Sequence, residues 1–144
     1  MSLVFWDTNL FIFYLEGKIE EAEKVRVLRE RMRSRGDQLC TSTLTLGEVL
    51  VKPLERGNAG LASDYEELLR NQARVIPFDN AAARHFAKIR TLDRSIKPPD
   101  AIQLACGALV NAEFFITHDD HLSHKMIREI SFVISLDKAH NLFS

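Results

Sequence analysis

Cysteine is scarce in this 144-residue sequence: there are two, Cys40 and Cys106, far apart and each flanked by apolar or small residues. That spacing excludes a cysteine-ligated zinc site and offers no disulfide framework, so both are expected as buried thiols in a reducing cytosol. No apolar run reaches membrane length and no basic-then-apolar leader opens the chain, so a cytoplasmic location without membrane association is the expectation. Neither sign of charge dominates, with 19 Lys and Arg against 20 Asp and Glu. Nothing global therefore announces a polyanionic partner, although a local basic face can still serve one. Glycine-rich phosphate cradles of the G-x-x-x-x-G-K-[ST] or G-x-G-x-x-G kind are missing, which argues against nucleotide binding. Linkers, repeats and low-complexity tracts are missing too. A single domain over residues 1–144 is the simplest organisation, long enough to bury a core.

What is present is an alternation of short apolar runs and helical patterns. "LVFW" (Leu3–Trp6) reads as a buried strand, followed by a helix over Asn9–Glu16 closed at Gly17. Ile19–Arg35 reads as a longer helix with Ala22, Val25, Leu28 and Met32 on one face, stopped at Gly36. Further strands are expected at Gln38–Thr41, Arg74–Pro77, Glu113–Thr117 and Phe132–Leu136. Between them lie a helix capped by Ser42 or Thr43, with Pro53 expected to kink or end it, and helices over Leu61–Asn71, from Asp79 to Leu92, and over Asp100–Val110. Short apolar strands alternating with helices imply an α/β fold, a central parallel sheet covered by helices on both faces. In such sheets ligands bind beyond the carboxyl ends of the strands, which is where Asp7 and Asp119 should both emerge.

Four acids stand where an apolar segment meets a polar turn or helix: Asp7 in "FWDTN", Glu48 in "TLTLGEVL", Asp100 in "KPPDAIQLA" and Asp119 in "FITHDD". Singly, each has an ordinary explanation. Asp7 or Thr8 can cap the helix that follows, Asp100 suits a helix N-terminus, and Glu48 can sit on a helix surface. As a group, carboxylates raise one another's pKa unless a cation intervenes, and an oxygen-only set suits hard ions such as Mg²⁺ or Mn²⁺. Ions of that kind support phosphodiester hydrolysis by an activated water.

Taken in order and spacing, "VFWDTNLFIFYL", "STLTLGEVLVKPLERG", "KPPDAIQLACGAL" and "FFITHDDHL" resemble the PIN-domain ribonucleases, and within them the VapC-type toxins of type II toxin–antitoxin pairs. The resemblance covers essentially the whole chain. It implies a PIN-like, Rossmann-like three-layer fold and a Mg²⁺- or Mn²⁺-dependent endoribonuclease. It also implies a cognate antitoxin whose tail enters the acidic groove, and a homodimer. By position, Asp7, Glu48, Asp100 and Asp119 are the implied catalytic acids, with Asp7, Asp100 and Asp119 as metal ligands and Glu48 acting through water or on the nucleophile. Thr8, Asn9 and Thr117 match the polar residues around them. A further acid common two places after Asp119 is replaced here by His121, which leaves one ion or two open.

Other features carry less. His118, His121 and His124 in "HDDHLSH" have a spacing that could bind zinc, but read as a polar turn; His118 stands beside Asp119 within reach of a substrate phosphate. "KVRVLRERMRSR" (Lys24–Arg35) reads as a solvated basic face that could also steer an RNA backbone, and Lys52, Arg56, Arg94 and Lys97 flank the acidic motifs as comparable candidates. Phe5, Trp6, Phe11, Phe13 and Tyr14 are expected in core and interface. Two alternatives differ in class: a PIN-type nuclease of RNA processing or structured DNA, and a PIN domain that binds RNA or a partner without cutting.

Overall fold

Strand β1 (Leu3–Trp6) lies at the centre of a five-stranded sheet, between β2 (Gln38–Ser42) and β4 (Phe114–Thr117); β3 (Arg74–Ile76) and β5 (Phe132–Ser135) form the edges. The structure is a computed structural model and describes residues 1–17 and 20–144. Every pairing is parallel, with Trp6 opposite Ile116 across β1 and β4 and Phe5 opposite Cys40 across β1 and β2. Parallel strands bury both faces, which is why "LVFW" and "FFIT" are apolar throughout rather than alternating.

Alternation along the strands divides the interior into two cores. Val4, Trp6, Leu39, Phe114 and Ile116 point to one side, against α1 (Thr8–Glu16), α2 (Glu20–Arg35), α3 (Thr43–Glu55), α4 (Ala59–Gln72) and α8 (Leu136–Leu142). Phe5, Cys40 and Phe115 point to the other, against α5 (Asn80–Leu92) and α6 (Pro98–Leu109). A short helix, α7 (Asp120–Ser123), follows β4. Phe5 and Phe115 stack at 5.0 Å between ring centroids, and Gly107 of α6 lies against Phe5, where an added Cβ would come within 3.5 Å of the ring. The result is a three-layer α/β sandwich, as the alternating pattern implies.

The differences from expectation are local. The start of α2 at Ile19 lies outside the described residues. Helix α3 runs through Pro53 to Glu55, because a proline in the last turn removes one donor, and the helix ends three residues later at its Arg56 cap. Helix α6 begins at Pro98, since prolines fit the first turn, whose amides have no helical partner. The turn expected after β4 contains α7, and β5 stops at Ser135, whose hydroxyl accepts from the Lys138 amide at 3.1 Å to cap α8. Of the "LFIFYL" side chains, Phe11 is fully buried, while Phe13, Tyr14 and Leu15 are half-buried against the same core.

Sheet order fixes where a site can form. From β1 the chain moves outward through β2 to β3, then crosses back to β4 and β5 on the far side. Connections therefore diverge between β1 and β4, and the crevice beyond their carboxyl ends is the place such sheets leave open.

Candidate active site

Asp7 is the first residue beyond β1, and its main-chain amide continues the ladder by donating to the Ile116 carbonyl at 3.0 Å. It caps α1, its Oδ1 accepting from the Thr8 amide at 2.8 Å, so the capping reading of this acid is met. Its Oδ2 accepts from the Thr117 hydroxyl at 2.8 Å, from the end of β4. Burial pushes its pKa up, against the lowering effect of the Thr117, Thr8 and Gln103 hydrogen bonds, and nearby Glu48 adds to the rise.

A buried polar network lies behind this carboxylate, and its hub is a residue the sequence reading did not single out. Gln103 of α6 is 1% exposed. Its Nε2 lies 3.2 Å from Asp7 Oδ1, 3.0 Å from Thr8 Oγ1 and 2.8 Å from Thr45 Oγ1, so two hydrogens are shared among three acceptors. Its carbonyl accepts from the Ser42 hydroxyl, which also caps α3. Thr41 extends the network, its hydroxyl lying 2.9 Å from the Trp6 carbonyl and 2.8 Å from Thr45 Oγ1. One side chain thus joins the ends of β1 and β2 to α1, α3 and α6. The available signal was a lone amide in the apolar run "DAIQLACGAL", one helical turn after Asp100.

Glu48 lies on α3 and is exposed, despite the apolar residues around it in sequence. The Thr8 hydroxyl donates to its Oε1 at 2.7 Å, holding it beside Asp7. On the other flank, Asn9 Nδ2 donates to Thr117 Oγ1 at 3.4 Å, and Asn9 Oδ1 accepts from the His118 amide at 3.2 Å. The His118 ring packs edge-on against Phe13, 5.2 Å between centroids. Asp119 caps α7, its Oδ1 accepting from the His121 and Leu122 amides at 2.9 and 3.3 Å, and its own amide donates to Thr117 Oγ1 at 3.1 Å.

Asp100 enters from the first turn of α6 and is half-buried. Its pKa is pushed up to about 6, first by burial, then by the charges of Asp7 and Asp119, with Lys97 opposing and Glu48 adding. Acids from α3, α6 and the ends of β1 and β4 therefore share one electrostatic field.

Among the described residues, no three His, Cys, Asp or Glu side chains close into a cage for an ion, the three histidines after β4 included. The donors that act on one another are carboxylates: Asp7, Asp119 and Glu48 all raise the pKa of Asp100. Such a set fits a hard divalent cation that keeps several waters, and does not suit one needing a full protein cage.

Fold and site together define a three-layer α/β protein with four acids brought to the carboxyl ends of its central parallel strands. Residues 4–126 match the family model of the PIN domain, a span that includes Asp7, Glu48, Asp100 and Asp119, and the chain belongs to that family. Among curated proteins, none matches significantly. Solved structures of similar fold include a chain of VapBC2 from Rickettsia felis bound to a DNA fragment from their promoter. It has 12% identity and a TM-score of 0.69, over 92% of this chain and 98% of that one. Another is from DNA-bound VapBC of Salmonella typhimurium, with 21% identity and a TM-score of 0.66 over 94% and 99%. A third is VapBC-5 from Mycobacterium tuberculosis, a member of the VapBC family of toxin–antitoxin systems, with 21% identity and a TM-score of 0.58 over 94% and 99%. At these identities the likeness is one of fold. No helix among the described residues is long and apolar enough to cross a membrane.

Proposed function

We propose that the chain is a divalent-metal-dependent endoribonuclease, the VapC-like toxin of a two-gene toxin–antitoxin pair. The observation that carries this reading is the convergence of the acids at the switch point of a PIN-domain sheet. Thr8 bonds to both Asp7 and Glu48, Thr117 bonds to both Asp7 and Asp119, and α6 brings Asp100 into their field. Four acids in mutual repulsion are costly unless a cation joins them. Asp7, Asp100 and Asp119 would hold Mg²⁺ or Mn²⁺, with Glu48 reaching it through water. When bound, such an ion neutralises charge on the scissile phosphate and makes a water more acidic.

The chain's own residues supply position. Asp7 accepts from Thr8, Gln103 and Thr117, so its carboxylate has one orientation. Thr8 aims Glu48, while Asn9 and Thr117 fix the start of the segment that carries His118 and Asp119. His118 is exposed beside Asp119, and in this scheme its ring would donate to a phosphate oxygen of the substrate. Water is the nucleophile in this scheme, and no covalent enzyme intermediate forms.

The partners are an RNA substrate, a cognate antitoxin and a second copy of the chain, in a cytoplasm where Cys40 and Cys106 stay reduced. The fold likeness to chains of VapBC systems supports the antitoxin. The test is cleavage of total RNA by the purified chain with Mg²⁺, with Mn²⁺ and with chelator, beside Asp7→Asn. Discrete fragments that need the metal and vanish in the variant are expected. Intact RNA under every metal, from a preparation that mass spectrometry shows free of antitoxin, would retire the nuclease.

A further inference from the structure

The structure separates cations that are already engaged from cations that are free. On α2, Lys24 pairs with Asp137 at 2.8 Å, Arg26 with Glu23 at 2.8 Å and Arg35 with Asp37 at 3.0 Å. Arg33 donates to Gln72 Oε1 at 2.6 Å, and Arg29 and Arg31 donate to the carbonyls of Gln72 and His140. Lys52 is held by Glu16 at 3.3 Å. The α2 run also leads into the start of β2, so its later arginines lie toward the edge of the sheet opposite the carboxylates.

The connection between α5 and α6 is different. Arg94 and Lys97 are exposed and have no ion-pair partner among the described residues. The acid beside them, Asp93, is taken by Lys125 at 2.8 Å, so it does not neutralise Arg94. Arg90 is half-buried, its guanidinium anchored to the Ile96 carbonyl at 3.3 Å. Phe86, Arg90, Thr91, Arg94 and Pro98 line an open groove of about 320 Å³. Pro98 stands two residues before Asp100, and the Lys97 ammonium acts electrostatically on that carboxylate. A polyanion approaching four acids needs cations at their margin. Arg56, at the far end of α3, is also exposed and outside any ion pair among the described residues, but Arg94 and Lys97 are the two that stand together beside the helix start carrying Asp100.

We propose that the groove between Phe86 and Pro98, with Lys97 at its rim, is a subsite for the single-stranded RNA backbone flanking the cut bond. Arg94 and Lys97 take adjacent phosphates, and Arg90, fixed by Ile96, presents its guanidinium plane to the strand. The assignment rests on the ribonuclease reading and gives it a direction: RNA leaves the acidic crevice over the start of α6, not along α2.

The test is equilibrium binding of a short fluorescent single-stranded RNA to the full chain in chelator, where binding is read without cleavage, over a range of salt. Arg94→Glu with Lys97→Glu is expected to weaken binding about tenfold and to flatten the log–log salt slope by about 1.4, the value for two phosphates. Arg26→Glu on α2 is expected to bind like the parent. If the charge-reversed pair lowers the melting temperature, Arg94→Gln with Lys97→Gln replaces it, with a smaller loss expected in the same direction. Binding and slope unchanged in a folded double variant would overturn the groove, as would a parent chain that binds no RNA. Cleavage is scored separately. A groove that fails beside a parent that cuts leaves the nuclease standing, and a groove that binds in a parent that never cuts retires the nuclease alone.

Discussion

At the scale of single residues, the site is a contest between burial and hydrogen bonding. In the metal-free chain the Asp100 carboxyl holds its proton to about pH 6 when folded, but releases it near the ordinary carboxylate value when unfolded. Between those values the native state binds more protons, so the free energy of unfolding falls as pH rises. In chelator, Asp100→Asn should therefore melt higher than the parent at about pH 7, keep only about half of that advantage at about pH 5, and lose it as pH falls below the ordinary carboxylate value. Parallel melting curves for the two proteins across that range would remove carboxylate repulsion as the source. Gln103 makes a second case. Gln103→Leu strips contacts from Asp7, Thr8, Thr45 and Ser42 together, at an expected cost of about 1–3 kcal/mol. Its positioning role is read separately, from Mn²⁺ affinity measured by electron paramagnetic resonance. Parent-like affinity in the folded variant would reduce Gln103 to a stabilising residue. The four acids were visible in sequence because each interrupts an apolar pattern. Gln103 stayed hidden because a lone amide in an apolar helix announces burial but not the side chains that meet it, which come from α1, α3 and the ends of two strands.

At the scale of elements, hydrophobic period located the strands and most helices, while contacts decided what their polar faces do. Helix α2 shows the limit. Its alternating "RERMRSR" reads as a solvated basic stripe, yet Arg29 and Arg33 both reach Gln72, the last residue of α4, and fasten the two helices. Burial and the neighbouring Arg33 push the pKa of Arg29 down, which marks it as a packed side chain. Arg29→Glu with Arg33→Glu should therefore lower stability by about 1–2 kcal/mol, measured by urea titration, and leave RNA affinity unchanged in the folded fraction. Weakened RNA binding with unchanged stability would return α2 to the nucleic-acid surface. Small elements escaped for the same physical reason: α7 and α8 are too short for period to register, and depend on caps from Asp119 and Ser135. Prolines act by position: Pro53 falls in the last turn of α3, which ends two residues later, and α6 starts at Pro98 rather than at Asp100 because the first turn tolerates proline.

At the scale of the whole molecule, strand order does what no local pattern can. Asp7 and Asp119 are separated by most of the chain, and become neighbours because β1 and β4 pair at the centre of the sheet. The alternation of strands and helices indicated a parallel sheet with these acids at one edge, but the pairing of first strand with fourth required the fold. An ion held from four elements, as proposed, would couple its binding to the stability of the entire chain. An ion that binds only the folded state stabilises it by mass action, about 2.7 kcal/mol at a hundredfold excess over its dissociation constant. Mg²⁺ or Mn²⁺ should accordingly raise the melting temperature of the parent by several degrees, and more at about pH 7 than at about pH 5, where protons compete for Asp100. Asp7→Asn is the discriminating variant. Asparagine caps a helix as well as aspartate does, so α1 keeps its start and the fold is preserved, but one ligand charge is gone. The thermal shift with metal should then largely vanish while the metal-free melt stays near or above that of the parent. A full metal shift in Asp7→Asn would place the ion elsewhere and detach the carboxylate crevice from the chemistry proposed for it.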